Sequence, residues 1–364
     1  SSSGGAPSVF MFTGLVTAVS SAIIGTIWAL VNIRHQRQSR EDEEAARKSA
    51  YGEYLEKIVG TIREKYEKNG SALLSMYRPA AEYAGYDRQT AALWNRNSTH
   101  KDFLYHRLGI GILPFQTPII VPKERFTVFR DTLADQPAKI RETYKYLKNV
   151  PVGVDLMEHR LIGVIGGRQK RGAYEVAQNL IVQIGANNCY TDVKLGLVYD
   201  RANSLEEESL GAVKWLPHVW SEDKKTRYVA DDPVSSADVF YELTKVLRQR
   251  AENEDHPLSA SGTPKPWYVL FVTSPEMLEG ELIARYLLDT GHSYGITTVL
   301  LVERYEELPN SCEYIIQNDG EGKSVYNVRE DIRSRIGITF DKVDGPELVN
   351  FARRLSSIEV NEVE

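Results

Sequence analysis

The sequence predicts an α/β chain: a transmembrane helix continuing into a helical stalk, a small α+β stalk domain, and then a larger domain with a mainly parallel sheet. Three observations carry that expectation. The first 33 residues contain no charged side chain, the stretch after them places apolar residues at helical spacing, and from about residue 150 apolar runs alternate with helical segments.

Composition sets the outer bounds. A chain of 364 residues, 42% hydrophobic and 26% charged, carries enough apolar material for about two to three domains and excludes wholesale disorder. Its two cysteines, Cys189 and Cys312, have no CxxC spacing, which excludes a disulfide framework and fits a reducing compartment. Seven histidines show no metal-ligand pattern, so no metal is expected, and His218 in WLPHVWSED reads as structural. The net charge of −6 supplies no excess positive field for a phosphate polymer, and no nucleic-acid partner is expected.

Residues 1–8, SSSGGAPS, read as a linker on the outer side of a membrane. Residues 9–33 are apolar throughout, and as a helix of about 37 Å they would cross a hydrocarbon core of about 30 Å. The basic residues Arg34, His35, Arg37 and Arg40 follow at once, so the positive-inside tendency places everything after Arg34 in the cytoplasm of a cell whose inner membrane holds this single span. Gly14, Ala18 and Ala22 recur every four residues and offer a small-residue face to a neighbouring transmembrane helix.

Residues 34–70 continue as a helical stalk. Tyr51, Leu55, Ile58, Val59, Ile62 and Tyr66 trace one face, and Asn69 with Gly70 suit a helix end. Residues 71–149 mix extended and helical stretches, FLYHRLGIG at 103–111, TPIIVP at 117–122 and a polar helix around 133–148, which gives the small α+β unit. Its aromatic and basic cluster, Trp94, Arg96, Phe103, Tyr105 and Arg107, reads as core before docking surface.

Residues 150–356 alternate the apolar runs VPVGVDL, RLIGVIG, VKLGLVY, WYVLFVTS and ITTVLLV with helical stretches such as RGAYEVAQNLIVQIG and SSADVFYELTKVLRQRA. Runs apolar along their whole length suit strands covered on both faces. The turn after RLIGVIG holds the candidate binding residues: Gly163, Gly166 and Gly167, then Arg168, Gln169, Lys170, Arg171 and Gly172. A phosphate would sit there, at the N-terminus of the following helix. A complete nucleotide loop, however, reads GxxxxGK followed by Ser or Thr. Neither register of this turn supplies the Lys and the hydroxyl, and the strand Tyr268, Val269, Leu270, Phe271, Val272 is followed by Thr273, Ser274 and Pro275 before any acid. The turn therefore reads as a degenerate phosphate loop, with no catalytic residue assigned. A hydrolase would need Lys170 or Arg171 in place of the usual Lys, and Glu276 or Glu279 to reach a metal.

Three segments, LWNRNSTHKDFLYHRLGIG at 93–111, NVPVGVDLMEHRLIGVIGGRQKRGAYEVAQNLIVQI at 149–184 and WLPHVWSEDKKTRYVA at 215–230, carry a likeness. The chain resembles the membrane-proximal region of the EssC/EccC-type membrane ATPases of type VII secretion, within the FtsK/SpoIIIE group of ring motors, through to RRLSSIEVNEVE at its end. The resemblance implies a second membrane helix, a stalk domain and a degenerate P-loop ATPase-like domain, with residues 357–364 leading toward motor domains outside this chain. ATP and Mg belong to those downstream domains, and no cofactor is expected here. It further implies export of small helical proteins of the WXG100 type, other secretion membrane components and a ubiquitin-like protein at the stalk as partners, and a homo-oligomer. The alternatives are a membrane-tethered nucleotide hydrolase with an atypical loop and a segment of a DNA translocase; the charge argues against the latter.

Overall fold

The computed structural model describes residues 7–114, 135–254 and 262–360, with the side chains of residues 7–19 and of residue 254 outside the description. In chain order the elements begin with helix α1 (Pro7–Met76), α2 (Ala80–Ala84), strand β1 (Tyr105–Pro114), α3 (Gln136–Thr143), β2 (Tyr146–Asp155), β3 (Leu161–Ile165) and α4 (Arg171–Asn187). There follow β4 (Val193–Val198), α5 (Ser204–Leu210), β5 (Val229–Ala230), α6 (Pro233–Glu254) and β6 (Trp267–Val272). The last are α7 (Ala284–Leu287), β7 (Ile296–Val302), β8 (Tyr314–Asn318), β9 (Lys323–Asn327), β10 (Ile336–Phe340) and α8 (Gly345–Leu355). The described residues fall into two compact units, one within Ser1–Tyr66 and Gln116–Lys145, the other within Glu67–Phe115 and Tyr146–Glu364.

In the first unit, α1 is exposed from residue 20 to residue 50, and then Leu55 and Ile62 become buried with Tyr51, Ile58, Val59 and Tyr66 half-buried beside them. The apolar stripe read from the sequence is thus the packed face of this helix. Tyr66 meets the ring of Tyr144 edge-on at 5.5 Å, and Arg63 Nε donates to the Tyr144 hydroxyl at 3.4 Å.

The expected transmembrane helix over 9–33, and with it the membrane localisation, is corrected by this structure. Among the described residues no helix is long and apolar enough to cross a membrane. Residues 20–33 are the part of the apolar stretch before Arg34 whose side chains are described, and all of them are exposed. Of the expected helix-contact face, Gly14 and Ala18 lie outside the described side chains and Ala22 is exposed. The helix also does not stop at Asn69 and Gly70 but runs to Met76. Its end is set by Pro79, which disfavours helical geometry at Arg78.

The second unit is built on one ten-stranded sheet in the order β2-β1-β10-β9-β8-β3-β7-β6-β4-β5. From β8 to β5 every pairing is parallel; from β8 to β2 every pairing is antiparallel. The expected separate α+β stalk domain is therefore corrected as well. Its strand β1 pairs with β10 from the far end of the chain, Gly109 opposite Phe340, and with β2, Tyr105 opposite Asp155. The expected segment TPIIVP lies outside the described residues, and the polar helix is α3, eight residues long.

Alternation along the central strands sorts their side chains onto two faces. Ile162, Val164, Val269, Phe271, Val299 and Leu301 join a core with α4 and α8, while Leu161, Ile165, Leu270, Val272, Leu300 and Val302 join another with α6 and α7. Both faces being covered is why these strands are apolar along their whole length. Helix α8 starts with reciprocal caps, Glu347 N–H to Asp344 Oδ1 at 2.7 Å and Asp344 N–H to Glu347 Oε2 at 3.0 Å, and buries Leu348, Phe351, Ala352 and Leu355.

Candidate functional site

Strand β3 lies between β7 and β8 in the parallel half of the sheet and delivers the glycine turn at its C-terminal edge, directly before α4. This is where α/β folds of open sheets place ligands. Gly163 lies within β3, and Gly166 is buried at the strand's exit. Gly167 has φ of +71°, which only glycine adopts freely. Gly172 is required for a different reason: a β-carbon there would overlap the backbone carbonyl of Asn318, whose side-chain Nδ2 in turn donates to Gly172 O at 3.0 Å. Gln169 and Lys170 follow with φ of 59° and 56°, two consecutive left-handed residues that are not glycine.

An anion cradle needs backbone N–H groups that point at the ligand. Here they are spent inside the protein. Gly166 N–H donates to Val302 O at 2.9 Å and Gly167 N–H to Glu303 O at 3.1 Å, Lys170 N–H to Gly167 O at 2.9 Å and Gly172 N–H to Gly166 O at 3.0 Å. Arg171 N–H donates to Arg168 O. Gln169 N–H donates to the Glu303 carboxylate at 3.0 Å, so an acidic side chain of the protein itself stands on the turn.

The side chains follow suit. Lys170 Nζ donates to the carbonyl oxygen of Thr273 at the end of β6, whose hydroxyl donates to Glu206 Oε2 at 2.9 Å. Glu206 is buried and also accepts from the Tyr174 hydroxyl at 3.1 Å and from Asp200 N–H at 2.8 Å. Burial, and then the adjoining Glu206 carboxylate, push the Tyr174 phenol well above its ordinary range, so it stays a donor. Arg168 is exposed, and Arg171 folds its guanidinium onto Gln169 Oε1 at 3.0 Å. Beside the turn lies a cavity of about 410 Å³ lined by Lys170, Arg171, Tyr174, Asn203, Glu208 and Glu303 among others.

The turn thus joins Lys170 to the end of β6, as a nucleotide site would, and leaves out the acids expected of a hydrolase: Glu276 and Glu279 are both exposed, and among the described residues neither carboxylate bonds to the turn. Sequence reasoning missed Glu206 and Glu303. Asn203 capping α5 through Leu205 N–H and Glu206 N–H is a pattern visible in NSLE, but nothing local says that Glu206 turns inward. Among the described residues no three His, Cys, Asp or Glu side chains gather as a metal site. The groups present do not fit a bound nucleoside triphosphate with magnesium: the amides are committed, the lysine is turned onto a carbonyl, and a carboxylate faces the turn.

The cluster of Trp94, Arg96, Phe103, Tyr105 and Arg107 is core. Phe103, Arg96 and Arg107 are buried, and Arg107 makes a two-point ion pair with Asp341, Nε at 2.7 Å and Nη2 at 3.2 Å. Burial raises the Asp341 carboxyl from its ordinary range despite that partner.

No family model matches the chain. It aligns along nearly its whole length with the ESX secretion system protein EccC of Geobacillus thermodenitrificans, 23% identical over 360 residues, 97% of this chain and 24% of the relative. Against the type VII secretion system protein EssC of Staphylococcus aureus it is 20% identical over 347 residues, 94% of this chain and 23% of the relative. Among solved structures, the cytoplasmic domain of the Thermomonospora curvata type VII secretion ATPase EccC matches 79% of this chain and 34% of its own, with a TM-score of 0.49 and 14% identity. The homologues of this chain are EssC/EccC type VII secretion proteins, as the resemblance implies, and the chain spans about a quarter of their length.

Proposed function

We propose that the chain is a non-hydrolysing, coupling region of a type VII secretion motor. Homology along nearly the whole chain supports the motor. One observation supports the absence of turnover: six amides of the glycine turn, from Gly166 to Gly172, already have acceptors within the protein, one of them the Glu303 carboxylate. In this reading the parallel half of the sheet keeps the shape of an ATPase-like domain and passes on movement generated by ATP in other domains. Small helical proteins of the WXG100 type are the exported cargo, other secretion components and a ubiquitin-like protein are partners, and copies of the chain assemble together. Isothermal calorimetry and a phosphate-release assay on the full chain with ATP and magnesium test it. The expected outcome is no saturable heat and no turnover. Tight, magnesium-dependent binding with turnover abolished by Arg168→Ala or Lys170→Ala would overturn it.

A further inference from the structure

Helix α4 carries the glycine turn at one end and meets a buried polar node at the other. The last carbonyls of a helix have no partner within it. In α4 they are taken by a segment nearly a hundred residues earlier: Trp94 Nε1 donates to Gly185 O at 2.7 Å, Trp94 N–H to Ala186 O at 2.8 Å, and Arg96 N–H to Asn187 O at 3.0 Å. Asn188 O meets His218 Nε2 at 2.7 Å, and Asn188 Nδ2 donates to Phe103 O at 2.8 Å. One residue, Asn188, therefore ties the 94–106 segment and the 3-10 turn Pro217–Val219 to the helix end.

The node is fully buried and incompletely paired. His106, Asn188 and His218 are each 0% exposed. Both ring nitrogens of His106, the Nδ1 of His218 and the Oδ1 of Asn188 lack a hydrogen-bond partner of good geometry, with the Asn188 side chain the polar neighbour of His106. Cations already stand close by. Arg96, 8% exposed, faces His106, and Lys194, 3% exposed, faces His218. The acids nearby serve those cations: Asp102 lies 3.8 Å from Arg96 Nε, and Glu222 acts on Lys194. The rings of Trp94 and Tyr190 close the remaining side of His218, at 6.0 and 6.4 Å between centroids.

We infer that the His106–Asn188–His218 node is an acid-released latch that fastens the 94–106 segment to the C-terminal end of α4. A second positive charge beside a buried Arg96 or Lys194 meets no acid among the described residues, so protonating either ring expels it toward water and breaks the ties at Asn188. Burial first, and Lys194 second among the lowering causes, bring His218 down to about 4, and burial and then Arg96 hold His106 well below its ordinary value. Histidines kept neutral in the fold stabilise it fully above about pH 6.5, and that contribution falls as the pH drops from there toward the folded value. The latch stands on the node alone and does not depend on the secretion reading.

Hydrogen exchange of the full chain between pH 8 and pH 4.5, corrected for intrinsic rates, is the test. Peptides covering 94–106 are expected to lose protection by about a hundredfold at pH 4.5, the size that one histidine displaced from about 6.5 to about 4 supplies. Peptides covering β6 keep theirs. In the double variant His106→Gln, His218→Gln, whose second substitution retains a donor for Asn188 O, the loss becomes at least tenfold smaller. Equal loss in both regions, unchanged protection at 94–106, or the same loss in a folded form of that double variant would each overturn the latch. Should that variant fail to fold, the NMR titration of His106 and His218 in the unaltered chain decides: release of 94–106 must coincide with protonation of one of them.

Discussion

The two ends of α4 solve one problem in opposite ways. At its N-terminus six amides of the turn are satisfied, three by carbonyls within the turn and three by Val302 and Glu303, while Arg168, Gln169 and Arg171 are exposed. At its C-terminus the free carbonyls are satisfied by groups distant in sequence, all buried or half-buried. The contrast teaches that both ends of one helix can be closed by the protein's own groups, in a partly exposed turn at one end and in a buried node at the other.

The largest effect should come from opening the buried end. Trp94→Ala removes the indole that bonds Gly185 O and packs on Tyr190 and His218, and a loss of about 4 kcal/mol is expected in urea unfolding. A loss below about 1 kcal/mol would mean the C-terminal clamp is decorative. Next is Gly172→Ala at the other end. Its β-carbon meets backbone, which cannot step aside as a side chain would, so about 3 kcal/mol is expected from the same measurement. Full stability in that variant would show that the start of α4 is looser than its packing against Asn318 implies. The smallest effect belongs to Glu303→Gln. The amide side chain still offers an oxygen to Gln169 N–H, and the variant should cost about 1 kcal/mol or less in the melting curve. If it also created magnesium-dependent ATP binding by calorimetry, the turn would be a phosphate loop held shut by one charge, and the comparison between the two ends would fall.

Much of the second unit was legible because burial on both faces leaves a mark. RLIGVIG, VKLGLVY, WYVLFVTS and ITTVLLV are β3, β4, β6 and β7, and the two long helical stretches are α4 and α6. The stripe from Tyr51 to Tyr66 was legible for the same reason, since a helix packed on one side must repeat its apolar residues. The apolar start misled: a long uncharged stretch carries the same pattern whether or not the described helix offers enough of it to span a bilayer. The strand at 103–111 was visible as a strand, but its assignment to a separate small domain was wrong because its partner, β10, lies more than two hundred residues on.

Taken alone, the sequence determined the repeating units, a glycine turn that does not match GxxxxGK followed by Ser or Thr, and the family likeness. These are local facts, set by periodicity and by which side chains exist at all. Only the tertiary structure decided that β1, β2, β9 and β10 complete one sheet, that Glu206 and Glu303 converge on the glycine turn, and that Asn188 sits between two buried histidines. Those pairings join residues from 5 to more than two hundred positions apart, and no spacing along the chain encodes a contact whose existence depends on how every intervening element packs.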